Sequence, residues 1–178
     1  MQRHPLVEVL RSETLLRGRI FDVVDESIRL PSGLRQDVLV VDHPGAVCVA
    51  PLLPSGELLL VRQYRHAAGD WLVELPAGRL EPEESRRAAA ERELEEETGH
   101  RAGRVELLEE FFAAPGFCSE RMSLFLARDL VPVQDGRPAD ADEELELVRV
   151  RPAELLGGKS RDAKTILAAA LLLARGLA

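Results

Sequence analysis

Residues 78–100 read GRLEPEESRRAAAERELEEETGH. Between Pro82 and Gly99 it holds neither Gly nor Pro, and Ala, Glu, Arg and Leu dominate it. A helix is therefore expected over residues 83–98, with Pro82 in its first turn and Gly99 as its C-terminal cap. Eight glutamates lie between Glu81 and Glu97, against three arginines. At about 100° per residue, Glu93, Glu96 and Glu97 fall on one face of that helix. Like charges at i, i+4 repel. Two accounts of the face are open: a solvated surface laced with Glu/Arg pairs, or carboxylates gathered for a hard cation such as Mg²⁺ or Mn²⁺.

Working outward, residues 71–75 are short and apolar and predict a strand end, followed by a loop at Pro76-Ala77-Gly78. Residues 46–53 form a nearly continuous apolar run, the mark of a strand buried on both faces. Pro54-Ser55-Gly56 turns the chain into a second strand over 57–64, and the two read as a hairpin. The first forty residues alternate in short runs (8–15, 19–30, 36–42), with a turn signal at Pro31-Ser32-Gly33. Downstream, strands are expected over 105–113 and 121–130 around a loop at 114–120. An acidic loop at 134–144, a short strand at 145–150 and an apolar helix at 162–175 follow. This order predicts an α/β domain over 43–178 with a small N-terminal β segment over 1–42.

Composition bounds the function. A chain of 178 residues, 46% hydrophobic, can bury a core of its own, built from Leu, Val and Ala because aromatics are only 4%. A net charge of −8 argues against a general nucleic-acid partner, which would need surplus cations. Cys48 and Cys118 stand 70 positions apart without a CxxC, which suits buried thiols in a reducing compartment better than a disulfide or a zinc site. The N-terminus lacks the apolar core of a secretory signal, and the longest apolar stretch, 166–174, is far short of the ~20 residues a membrane span needs. A soluble, cytoplasmic protein with no membrane partner is expected.

The spacing of the fixed residues adds a resemblance. Gly78, five residues, Glu84, seven residues, Arg92-Glu93-Leu94, one residue, Glu96-Glu97, one residue and Gly99 is similar to the Nudix box, G-x5-E-x7-R-E-U-x-E-E-x-G-U, where U is bulky and aliphatic. His100 is the departure, at a packing position past the helix. The resemblance implies an α/β/α sandwich with a mixed sheet and a metal-dependent hydrolase of nucleoside diphosphates linked to another group. It also implies that the Ala77 carbonyl joins Glu93 and Glu97 in holding Mg²⁺ (or Mn²⁺), that Glu96 helps hold metal or orient water, and that Arg92 and Glu84 fix the helix and loop.

Two further stretches resemble the ADP-ribose pyrophosphatase branch of that family. Ala114-Pro115-Gly116-Phe117-Cys118-Ser119-Glu120 is similar to its S-P-G-[FY]-[ST]-x-E loop, and Val61-Arg62-Gln63-Tyr64-Arg65 to its V-[RK]-Q-[FY]-R strand. Glu74 matches the E-x-P-A-G entry to the box. The resemblance implies that Arg65 reaches the diphosphate, with Arg62, Glu74 and Phe117 as further substrate contacts. It implies a homodimer in which the N-terminal segment exchanges and helps hold adenine. Phe21 is the candidate stacker there, a core role being the alternative. A glutamate from the acidic loop would act as base. Alignment on Leu145-Glu146-Leu147 makes Glu143 the match, with Glu144 its neighbour and Glu96 its rival on the helix. Other diphosphate substrates, such as sugar nucleotides, NADH or FAD, and a non-catalytic ligand-binding module are the competing readings.

Overall fold

The computed structural model describes residues 3–133 and 144–178. It divides the chain into two compact units, each with its own sheet structure.

The first unit comprises residues up to Ala46 together with Phe111–Met122. Strands β1 (Glu8–Arg17), β2 (Asp22–Arg29) and β3 (Arg35–Asp42) form an antiparallel sheet in that order. The Pro31-Ser32-Gly33 turn closes β2 onto β3, with Gly33 at φ 86°, a left-handed value that glycine adopts without a Cβ clash. In the middle strand, Val24 and Glu26 are buried. Glu26 takes both the Arg3 guanidinium and the Ser12 hydroxyl, as a buried carboxylate must. The 111–122 segment is tied to β3 by Val41 N–H donating to Phe117 O (2.8 Å) and Ser119 N–H donating to Val41 O (2.9 Å).

The second unit is an α/β sandwich with two sheets. One runs β7 (Ala77–Arg79), β4 (Ala46–Pro51), β9 (Arg121–Pro132), β8 (His100–Phe112), the ends of β8 and β9 reaching into the first unit. The other runs β10 (Glu146–Val150), β5 (Leu58–Arg65), β6 (Asp70–Glu74) and is antiparallel throughout. The expected hairpin of β4 and β5 does not form. The chain pairs at Leu52 and Leu58 and at Leu53 and Glu57 around the Pro54-Ser55-Gly56 turn, and the strands then part into different sheets. β4 is buried along its whole length and β5 over Leu58–Val61, so these stretches need covering on both faces, and entering separate layers supplies it.

Helix α1 (Arg86–Thr98) packs Ala89, Ala90 and Leu94 onto Val47, Val49, Val105, Phe125 and Ala127. It starts later than the sequence suggests. Glu83 sits at φ 62°, a left-handed conformation that breaks any helix through it, and Ser85 becomes the cap, its Oγ accepting from Ala88 N–H at 3.1 Å. Pro82 is therefore part of the preceding turn. Gly99, left-handed at φ 66°, ends the helix as expected. After β10 come a short helix α2 (Pro152–Glu154) and a wide turn over Leu155–Lys159, neither anticipated. Helix α3 (Ala163–Ala174) buries Thr165, Ala168, Ala169 and Leu172, the i, i+3, i+4, i+7 stripe of a helix lying on a core. Among the described residues no helix is long and apolar enough to cross a membrane.

Candidate active site

The polar side of α1 is organised by one guanidinium. Arg92 forks onto Glu84 (Nε to Oε1 3.0 Å, Nη2 to Oε2 3.1 Å), and its Nη1 donates to Glu93 Oε1 (2.6 Å) and Glu96 Oε2 (2.9 Å). Nη2 also reaches the Arg79 carbonyl at 3.2 Å, so the loop before the helix hangs on the same group. The hydrogen bond to Glu84 is the main reason the Arg92 proton is held far more tightly than usual. Burial opposes it, and Glu96 and Glu93 add to it. A structural role for Arg92 and Glu84 is what this geometry describes.

Next to it the backbone of β7 meets two buried carboxylates. Ala77 N–H lies 3.4 Å from Glu97 Oε2. Gly78 has no Cβ, and one built there would fall 1.9 Å from Glu93 Oε1 and 2.2 Å from Glu93 Cδ. Any larger residue would displace Glu93, which is why the box needs glycine at this position. Glu93 and Glu97 are 8% and 6% exposed, so their placement is set by packing and not by solvent. Ala77, Gly78, Glu93 and Glu97 are thus brought together from residues about twenty apart. Glu96 joins them through Arg92.

In kind these side chains fit a hard divalent ion: buried carboxylates, oxygen donors, against a backbone that only glycine lets come so close. Among the described residues no three acidic, imidazole or thiol side chains form a ready-made metal cluster. On this face Arg92 Nη1 stands between Glu93 and Glu96.

A second cluster lies on β5, β6 and the start of α3. Glu74, 1% exposed, receives Arg65 as a fork, Nε to Oε1 and Nη2 to Oε2 both at 2.9 Å. It also receives Lys164 Nζ at 2.5 Å from Oε2. Lys164 donates as well to Asp162 Oδ1 at 2.9 Å. Asp162 caps α3 through Oδ2, accepting from Thr165 N–H (3.0 Å) and Oγ1 (2.6 Å), and Thr165 Oγ1 accepts from Leu75 N–H (2.9 Å). Burial pushes the Glu74 carboxyl up, but Arg65 and Lys164 outweigh it and hold the group below its ordinary value. Arg65 is held above its own ordinary value, first by the bond to Glu74. Glu97 and Asp162 add to this at longer range, so Arg65 feels the charge of the helix face as well as that of its fork partner.

The remaining expected residues are placed differently. Arg62 lies three positions before Arg65 and so projects from the opposite face of β5. There it covers the Trp71 ring at 5.0 Å and pairs with Glu146 at 2.9 Å, apart from the Arg65–Glu74 cluster. The alternation thus places the two arginines on opposite faces of the strand. Phe21 and Phe117 belong to the first unit, where both are exposed, at 41% and 60%. A core role for Phe21 is excluded by that exposure. Glu143 lies outside the described residues, and its neighbour Glu144 is exposed. Lys164, Asp162 and Thr165 were not anticipated. Their only signal was a lysine, one of two in the chain, opening an otherwise apolar helix.

A family model for the NUDIX domain matches residues 42–170, which include the helix, the Ala77–Gly78 backbone and the Arg65–Glu74–Lys164 cluster. The chain belongs to the NUDIX family. Among its NUDIX-region relatives is an ADP-ribose pyrophosphatase from Bacillus subtilis (strain 168), 36% identical over 80% of this chain and 77% of that one. Another is a methanol dehydrogenase activator from Bacillus methanolicus, 33% identical over 90% of this chain and 89% of that one. A crystal structure of an ADP compounds hydrolase superposes with a TM-score of 0.81 at 26% identity, covering 99% of both chains. The fold is therefore shared over nearly all of both chains.

Proposed function

We propose that this NUDIX protein is a divalent-metal-dependent pyrophosphatase that hydrolyses the diphosphate of ADP-ribose to AMP and ribose 5-phosphate. The observation that carries the reading is the meeting of Glu93 and Glu97 with the Ala77–Gly78 backbone. The relative from Bacillus subtilis supports the substrate by its name. Glu93, Glu97, Glu96 and the Ala77 carbonyl would hold Mg²⁺, or Mn²⁺, which when bound neutralises diphosphate charge and acidifies water. Arg65 keeps its Nη1 edge clear of Glu74 and donates it to a non-bridging oxygen of the substrate. Glu143, or Glu96 as its rival, accepts the proton of the attacking water as the phosphoanhydride breaks. Phe117 and Phe21 offer exposed rings for a base.

The chain also acts as a homodimer in this reading. Every residue of β1 is exposed, among them Leu10, Leu15 and Leu16, and an edge strand of this length and composition is a surface for pairing.

The test of function is a panel of diphosphates with Mg²⁺: ADP-ribose, a sugar nucleotide, NADH and FAD. Release of AMP and ribose 5-phosphate with the highest kcat/KM on ADP-ribose is the expected result. Preference for another member would move the substrate, and turnover of none would leave a binding module. The relative named as an enzyme activator makes that last outcome worth pairing with a test for stimulation of a partner dehydrogenase.

A further inference from the structure

Lys164 is a buried lysine that the box does not include. Its side chain is 13% exposed, and its Nζ is spent on Glu74 Oε2 and Asp162 Oδ1. Lysine is rarely buried without a specific partner, because desolvation of the ammonium is costly. Neutralising Glu74 does not by itself require it, since the Arg65 fork already supplies one positive charge to one carboxylate. Asp162 does not require it either: its Oδ2 is satisfied by the N-terminal N–H and hydroxyl of α3, where the helix dipole favours an anion.

What the second cation changes is Arg65. Glu74 Oε2 accepts from both Arg65 Nη2 and Lys164 Nζ, so its charge is shared between two donors. The guanidinium is then fixed in orientation by the fork without being neutralised by it. Its side chain is 43% exposed, and Nη1 is not among the atoms bonded to Glu74. We propose that Lys164 is a positioning residue for substrate binding: acting through Glu74, it lets Arg65 present a fixed, still cationic edge to a diphosphate. This rests on the reading that Arg65 meets the diphosphate.

A double-mutant cycle on the full-length protein tests it, with ADP-ribose and Mg²⁺. Lys164→Met should lower kcat/KM by tenfold or more in the wild-type background. In an Arg65→Gln background it should lower it by less than about twofold, because the group it acts through is gone. Losses that multiply in the two backgrounds would overturn the proposal and leave Lys164 a packing residue. If Arg65→Gln alone leaves kcat/KM unchanged, the diphosphate role of Arg65 fails instead, and the two failures are told apart by that single variant. Lys164→Met leaves Glu74 with one partner fewer, so Lys164→Gln, which keeps a donor, repeats the cycle if the first variant does not fold. Lys164→Arg, which keeps the charge, should restore most of kcat/KM, and failure to do so in a folded variant would also count against the proposal.

Discussion

At the residue scale the helix face and its approaching backbone make the sharpest claims. Glu93→Gln and Glu97→Gln remove a charge with little change in helix propensity, so each should cut turnover by orders of magnitude at an unchanged fold. Full activity at saturating Mg²⁺ would sink the metal assignment. Gly78→Ala makes an independent claim. Its methyl group would collide with the Glu93 carboxylate, whereas the backbone there is not left-handed and tolerates alanine. Displacement of a ligand by about 1 Å costs on the order of 100-fold in rate. Steady-state kinetics with a circular-dichroism control would show it, and a fully active Gly78→Ala would mean that Glu93 need not sit where it does. Much of this was legible in the sequence, because the box is local: Glu84, Arg92, Glu93, Glu96 and Glu97 share one helix or the turn before it. The second cation on Glu74 was not legible. Glu74 and Lys164 are ninety positions apart, and no periodicity or spacing links them.

At the scale of elements, the caps and the ties between elements decide what holds. Thr165 is fully buried and bonds Asp162 on its own helix and Leu75 N–H on the chain beyond β6. Thr165→Val keeps the shape, strands the Leu75 N–H and takes one of its donors from Asp162. It should destabilise by about 1–3 kcal/mol, read from urea midpoints. Ser85→Ala, which removes only the exposed cap of α1, should cost about 1 kcal/mol. The reverse ranking would show that the tie between α3 and β6 is weaker than its burial implies. Helices α1 and α3 were foreseeable from composition, and the end of α1 from its capping glycine. The parting of β4 and β5 was not, because a run that is apolar on both faces reports burial without saying which neighbour supplies it. The late start of α1 was hidden for a related reason: Glu83 is a good helix former by propensity, and the turn over 81–84 overrides it.

For the whole molecule, the buried ion pairs set the response to pH. Glu74 has a folded pKa below its ordinary 4.5. Its contribution to stability is therefore fully present above about 4.5 and is lost as pH falls through the lower folded value. Glu74→Gln should flatten that acid limb in unfolding curves taken from pH 6 downward, and an unchanged limb would place the acid sensitivity elsewhere. The N-terminal unit makes a separate claim. Removing residues 1–42 should give a monomer with weakened substrate affinity, checked by sedimentation and KM, and a full-length protein that sediments as a monomer would defeat the dimer reading. The cut also removes Val41, which holds Phe117 and Ser119 in place, so the 114–120 loop should become protease-sensitive.

Burial of Lys164 has a practical side as well. The chain has two lysines, and the other, Lys159, is 61% exposed at its side chain, beside Glu154. Acylating reagents therefore find one open side-chain amine, on the turn that leads into α3. A fluorophore or a surface tether carried on a lysine of this protein would therefore sit on that turn, the less basic α-amino group being the competing amine to block first.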